Sequence, residues 1–177
     1  MSYYDDIYEI AVDNYYLIST EDACEAGIPP VELAKLAHRG KLENISRGLY
    51  RLTKYVPSSY DPYAIAVARL GRKAYLYGES VIGMLDLAPT DPNRIFVAVP
   101  TRTRRKLPSG VRVRKPGKGD VVTRYEGIPS QNVATAIRAA RQTMMDERLL
   151  TATKEAQAQG YLTKREYEEL EKDMGWR

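Results

Sequence analysis

Lys35, Arg39, Lys41, Arg47, Arg51 and Lys54 stand against a single acid, Glu43, between residues 35 and 54. The 34 residues before them hold eight acids and no Lys or Arg. Cations at this density neutralise phosphates, and a chain that does so binds nucleic acid with an affinity that falls as salt rises. Lys35 and Arg39 lie one helical turn apart. Arg47 stands beside Gly48, a residue that lets backbone approach a partner closely. With the neighbouring His38 and Glu32, the candidate DNA-binding set is Glu32, Lys35, His38, Arg39, Lys41, Arg47, Arg51 and Lys54. Among the residues that open the helix, Pro29, Pro30, Val31 and Glu32, only Glu32 is expected to read a base edge, by accepting from cytosine N4.

A second run of cations lies further on. From Arg94 to Arg124 there are ten Lys or Arg and one acid, Asp120. Arg102, Arg104, Arg105 and Lys106 are its densest part, followed by Arg112, Arg114, Lys115 and Lys118. Such a run serves a second nucleic-acid contact, an acidic protein or RNA partner, or only solubility, and the sequence leaves these open.

Catalysis finds little support. One histidine, His38, and one cysteine, Cys24, leave no zinc cluster, no Cys–His pair of defined spacing and no hydrolase triad. No phosphate-loop motif occurs, and Gly78-Glu79-Ser80 is not one. The acids Glu79, Asp86, Asp91, Asp120 and Glu126 are scattered, whereas a nuclease gathers its acids at strand ends around a metal. The expectation is a non-enzyme with no cofactor and no metal. Cys24 is expected to be a small core residue. The acidic start, MSYYDDIYE, does not resemble a signal peptide, and no apolar run is long enough to span a membrane, so a cytoplasmic protein is expected.

The elements that must position these residues follow from periodicity. Tyr4, Ile7, Tyr8, Ala11 and Tyr15 fall at helical spacing and predict a first amphipathic helix. Ser19 and Asp22 form a capping box for a second, which Gly27 ends. Pro29 or Pro30 opens a third, with Leu33, Leu36 and Ala37 inward, Glu32, Lys35, His38 and Arg39 outward, and Gly40 as its stop. Strands 42–45 and 49–52 flank the Ser46-Arg47-Gly48 turn. Helix, turn, helix and hairpin together make a winged helix-turn-helix, residues 1–56. The loop 57–62 marks a boundary.

Residues 61–177 predict a mixed α/β domain with a small sheet and carboxy-terminal helices, so the fold class is α+β. Its parts are a helix from Pro62 to Leu70, a strand from Ala74 to Tyr77 and a helix from Glu79 to Leu85. A near-continuous apolar strand, 94–99, follows, with strands at 111–115 and 121–125. A helix capped by Ser130 comes next, then one over 147–159. The last is capped by Thr163 and Glu166, with the stripe Tyr167, Leu170 and Met174. Fourteen tyrosines against one phenylalanine suggest Tyr used as a half-buried core residue, with base stacking as the alternative.

Several blocks carry a resemblance. Gly27-Ile28, Leu36, Arg39-Gly40-Lys41-Leu42 and Ile45-Ser46-Arg47-Gly48-Leu49-Tyr50-Arg51-Leu52 resemble the amino-terminal winged helix of AbiEi-type antitoxins. These are the antitoxin and transcriptional regulator components of type IV (AbiE) toxin–antitoxin systems. Tyr75-Leu76-Tyr77-Gly78-Glu79-Ser80, then Arg94 to Pro100, the Arg-rich stretch and Tyr125-Glu126-Gly127-Ile128-Pro129 continue the likeness in order over about residues 18–142. The resemblance implies a bacterial or archaeal repressor that binds inverted repeats upstream of its own operon. It implies a co-encoded toxin of nucleotidyltransferase type, opposed without a stable complex. DNA binding would belong to the winged helix and antitoxicity to the carboxy-terminal domain. A winged-helix regulator without a toxin, or an interaction module using the basic 94–124 segment, are the rival readings.

Overall fold

The computed structural model describes residues 2–104 and 106–176. Arg105, one of the cations singled out above, lies outside the described residues. Eight helices and two sheets of three and five strands make an α+β protein among the described residues. The chain divides into two compact units, residues 1–69 and 70–177.

The first unit runs α1 (Tyr3–Val12), β1 (Leu17–Ser19), α2 (Thr20–Glu25), α3 (Pro30–His38), β2 (Leu42–Ser46), β3 (Leu49–Leu52) and α4 (Asp61–Leu70). The sequence places the division in the loop before α4. The structure sets α4 almost wholly on the first unit's side. The sheet order is β1-β3-β2, with both pairs antiparallel. Ile7 and Ala11 of α1, Ile18, Ala23, Ile28, Leu33, Leu36, Leu42 and Leu52 form one buried cluster. It draws one or two apolar residues from each short element, so no single helix needs to be stable alone.

Two capping boxes set the helix starts. Ser2 pairs with Asp5 for α1, and Ser19 pairs with Asp22 for α2. The first helix is shorter than its periodicity predicts. Tyr15 and Tyr16 take left-handed backbone, φ 56 and φ 62, which turns the chain out of α1 and into β1. Tyr15 is therefore not on the helix, and Tyr8 is exposed. Cys24 is exposed rather than a core residue, because six-residue α2 buries only Ala23.

The second unit runs β4 (Tyr75–Leu76), α5 (Glu79–Met84), β5 (Ile95–Ala98), β6 (Val111–Arg114), β7 (Val122–Tyr125), β8 (Ile128–Gln131), α6 (Val133–Ala140), α7 (Asp146–Ala158) and α8 (Lys164–Asp173). The sheet order is β6-β5-β4-β8-β7. β5 is parallel to β6 and β4 parallel to β8, while β4–β5 and β7–β8 are antiparallel. α6 packs on α5, α7 and α8. It buries Val133, Ala134, Ala136, Ile137 and Ala140, three of them alanines that let neighbours approach.

Ser130 does not cap a helix. It lies buried in β8, a strand absent from the sequence reading, and Asn132 caps α6 by accepting from the Thr135 N–H at 2.9 Å. β8 follows β7 through Glu126 (φ 51) and Gly127 (φ 76), the two left-handed residues of a tight hairpin. The capping box of Thr163 and Glu166 opens α8 as the sequence predicts, with Leu170 and Met174 buried.

Candidate nucleic-acid interface

The first unit has the element order expected of a helix-turn-helix with a wing: α2, a short turn, α3 and the β2–β3 hairpin. Gly27 (φ 75) ends α2 and Pro30 opens α3, so the turn between them is short and stiff. The wing is the β2–β3 hairpin, with Arg47 and Gly48 between the paired Ser46 and Leu49. Gly48 has φ 74, and a Cβ there would lie 3.1 Å from Thr20 Oγ1. The Thr20 N–H donates to the Gly48 carbonyl at 2.9 Å. The tip of the wing is thereby tied to the start of α2. At the other end of the hairpin, Thr53 Oγ1 donates to the carbonyl of Gly40 at 2.9 Å, beside the end of α3.

The candidate residues separate by surroundings. Lys35, His38, Arg39, Lys41, Arg47 and Lys54 are all exposed. His38 and Arg39 sit at the carboxyl end of α3, where the helix dipole favours cations. Glu32 is partly covered and pairs with Lys35 at 3.2 Å. An exposed pair of this kind contributes little and opens readily for another partner. Arg51 differs. It donates to Glu43 at 2.9 Å, its guanidinium lies 4.0 Å from the Tyr55 ring centroid, and its side chain is only 15% exposed. Its charge is engaged within the sheet.

Two further residues lie on the outer face of α3: Val31, which the sequence reading weighed and set aside in favour of Glu32, and Ala34, which it did not name. Val31 is 56% exposed, and Ala34 is exposed beside Lys35 and His38. Positions 31, 34, 35 and 38 recur at helical spacing opposite the buried Leu33 and Leu36. Small apolar side chains are of the kind that meets the methyl of thymine, and lysine of the kind that meets base edges or phosphate. The exposed valine beside two prolines was the available signal.

The second basic run is placed as follows. Arg102, Arg104, Lys106, Arg112, Lys115 and Lys118 are exposed. Arg114 is not part of that surface. Its Nη2 donates to Asp120 Oδ2 at 3.0 Å and Oδ1 at 3.2 Å, and its guanidinium lies 4.2 Å from the Tyr77 ring centroid. Asp120 also accepts from the Tyr75 hydroxyl, from the Gly117 N–H at 2.9 Å and from Gln131 Nε2 at 2.8 Å. Gln131 Oε1 in turn accepts from the Gly78 N–H at 2.8 Å. Burial opposes the charge on Asp120, but these donors and the Arg114 cation outweigh it and hold the carboxyl below its ordinary range. Burial, with the bond to Asp120, pushes the Tyr75 hydroxyl far up. The lone acid of the run is thus the anchor that holds the loop 115–120 to the sheet. It does not dilute the exposed cations.

Among the described residues no cluster of three His, Cys, Asp or Glu side chains could hold a metal ion, and no helix is long and apolar enough to cross a membrane.

Comparison with known proteins adds the following. No curated protein matches the chain significantly. Among solved structures it is similar to the RV2827C protein from Mycobacterium tuberculosis, at 17% identity, over 96% of this chain and 81% of that one, with a TM-score of 0.39. Residues 5–53 match the family described as transcriptional regulator, AbiEi antitoxin. That span begins within α1 and ends just past β3, so it takes in the helix-turn-helix and the wing together. The similarity to AbiEi-type transcriptional regulators and antitoxins is thus one of the amino-terminal residues 5–53.

Proposed function

We propose that this protein is a DNA-binding repressor of its own toxin–antitoxin operon, with α3 in the major groove and the wing on the backbone. The observation that carries the reading is one continuous span. Residues 5–53 match a regulator family and also hold the exposed cations Lys35, Arg39, Lys41 and Arg47, with His38 beside them, on a helix-turn-helix and its wing. α3 supplies Val31, Ala34 and Lys35 to base edges, with Glu32 available to cytosine once its pair with Lys35 opens. Arg39, Lys41, Arg47 and Lys54 meet phosphates and set position rather than sequence. Arg51 braces the hairpin through Glu43 and Tyr55 and is left out of the contact set. The inverted repeat expected of the operator would seat two copies, one per half-site.

The antitoxin half of the reading assigns residues 70–177 to protection against a nucleotidyltransferase toxin encoded alongside, without a stable complex. It is supported by the family description and by the sequence likeness that runs on to about residue 142. The cations Arg102, Arg104, Lys106, Arg112, Lys115 and Lys118 give that unit a surface suited to an anionic partner. A reporter driven by the upstream DNA, and growth on co-expression with the neighbouring toxin, test the two halves separately. Repression with growth rescue supports the whole reading. Repression without rescue leaves a regulator alone, and no repression overturns the DNA-binding assignment.

A further inference from the structure

The five-stranded sheet of the second unit has one apolar face and one basic face. Lateral neighbours in a sheet share a face, and the face alternates along each strand. The register therefore sorts the strand residues. Leu76, Val97, Ile128 and Ser130 share one face and are buried. Tyr125 lies on that face too. Its hydroxyl accepts from the Val133 N–H at 2.9 Å, at the start of α6, and its ring meets Tyr161 just after α7, so the helices cover this side.

The opposite face holds all three arginines of the five strands, Arg112 and Arg114 on β6 and Arg124 on β7. One row across the sheet begins at Arg114 and ends at Arg124, with Tyr75 between them. The next begins at Arg112 and continues through Phe96 and Tyr77. Arg112 and Arg124 are exposed. Arg112 donates to the carbonyl of Ser109 at 2.7 Å and Arg124 to that of Gly127 at 3.1 Å, bonds that steady both side chains and leave their charges without a carboxylate. An open groove of about 710 Å³ lies on this face, lined by Tyr75, Val122, Arg124 and Pro129 together with the exposed Lys73, and no acid is among its described lining residues.

The same face carries two rings capped by cations. Phe96 and Tyr77 meet edge to face, 5.5 Å between centroids. The Arg94 guanidinium lies 5.9 Å from the Phe96 centroid and that of Arg114 lies 4.2 Å from the Tyr77 centroid. Those arginine side chains are 41% and 34% exposed and are held by Asp91 and Asp120. Phe96 itself is buried. Flat guanidiniums on rings are thus what this part of the sheet presents outward.

The two features select among anionic occupants. An acidic peptide gains affinity from main-chain bonds, and on a sheet face the strands have already used those groups on each other. A double helix keeps its bases stacked on one another and would leave the guanidinium planes idle. A single strand uses both features, with phosphates on cations and unstacked bases on guanidinium planes. DNA is paired in the cell except while it is copied or read, so the single strand on offer is RNA.

We propose that the basic face of this sheet binds single-stranded RNA, with phosphates on Lys73, Arg112 and Arg124 and bases stacked on the Arg94 and Arg114 guanidiniums. Every residue of the surface lies in 70–177 and none belongs to the proposed DNA contact, so it stands apart from operator binding.

The test uses the full-length protein and a labelled oligo(A) RNA followed by fluorescence anisotropy. Comparators are oligo(dA), an RNA duplex, a Glu-rich peptide, and a ribose–phosphate strand of the same length without bases. One variant removes three cations of the face, Lys73→Gln, Arg112→Gln and Arg124→Gln. A control removes three exposed cations from α7 and α8, Arg148→Gln, Lys154→Gln and Lys164→Gln. The expected result is tightest binding of oligo(A) RNA, weakened about tenfold or more in the face variant. Its log–log salt slope should fall by about 2, as for three phosphates of a single strand. The control variant should bind as wild type, and circular dichroism should be unchanged in both. The strand without bases should also bind about tenfold or more weakly to the wild-type protein, a comparison that needs no variant. Equal losses in the two variants, or full binding of the strand without bases, would overturn the proposal. So would tighter binding of the DNA strand, the RNA duplex or the peptide, or no binding of oligo(A) RNA.

Discussion

Arg47 and Arg51 are the same residue type on the same hairpin, yet their surroundings separate their roles. Arg47 is exposed at the tip, whereas the Arg51 side chain is only 15% exposed, between Glu43 and the Tyr55 ring. Arg47→Ala is expected to weaken binding to all DNA and to reduce the salt slope by about 1. Arg51→Ala is expected to leave that slope unchanged and to lower stability by about 1 kcal/mol, through the lost ring contact and ion pair. Salt titrations and thermal unfolding of the two variants check this, and equal slopes for both would remove the distinction. On α3, Lys35→Ala is expected to cost more on the operator than on random DNA, by about 1–3 kcal/mol if it reaches a base. The charge reversal at residue 35 was legible from the sequence alone. The division between Arg47 and Arg51 was not, because it depends on Tyr55, a residue beyond the hairpin that folds back over β3. Val31 was set aside in favour of Glu32, and Ala34 left unnamed, because a base-reading face is sought among polar side chains; the proposed reading gives both to a thymine methyl, which takes an apolar partner.

Elements with a local chemical signature were legible, and those fixed by distant partners were not. Ser19–Asp22 and Thr163–Glu166 close on their own backbones, so both helix starts fell where the sequence placed them. Gly27, Pro30 and Gly40 bound α3 in the same way. β1 and β8 escaped notice because each is short and exists only through pairing, β1 with β3 and β8 with β4 and β7. Pro129 is an uncommon residue inside a sheet. It is accommodated because β8 and β4 share a single bridged pair, Leu76 with Ser130. Two element-scale outcomes follow from the geometry. Gly48→Ala would force a left-handed residue and bring its Cβ to 3.1 Å from Thr20 Oγ1, so a loss of about 1–2 kcal/mol is expected in thermal unfolding. A neutral effect would mean that the wing tip is not fixed by Thr20. Asp120→Ala would strand Arg114, Tyr75 and Gln131 at once and is expected to cost about 2–4 kcal/mol. The Asp120 carboxyl is held below its ordinary range, so its contribution is present above that range and is lost as pH falls below about 4. The acid limb of unfolding should therefore flatten in Asp120→Ala, and an unchanged limb would assign acid sensitivity to other groups.

At the scale of the whole chain, charge is distributed by unit. The first 34 residues are acidic, residues 35–54 are basic, and the second unit carries its own run of cations anchored by Asp120. Each unit has its own core and sheet. Residues 1–69 expressed alone are expected to keep operator binding, and residues 70–177 alone are expected to protect cells from the co-encoded toxin without repressing the operon. Growth and reporter assays on the separated halves check this, and protection by residues 1–69 alone would reverse the assignment. The most direct measurement of the central claim is the affinity of the intact protein for its own upstream DNA, and for random duplex of equal length, across a salt series. The expected result is a clear preference for the upstream DNA and a log–log slope of about −4 to −5, as for roughly five phosphates neutralised per copy. An affinity that ignores salt, or equal binding to both duplexes, would contradict it.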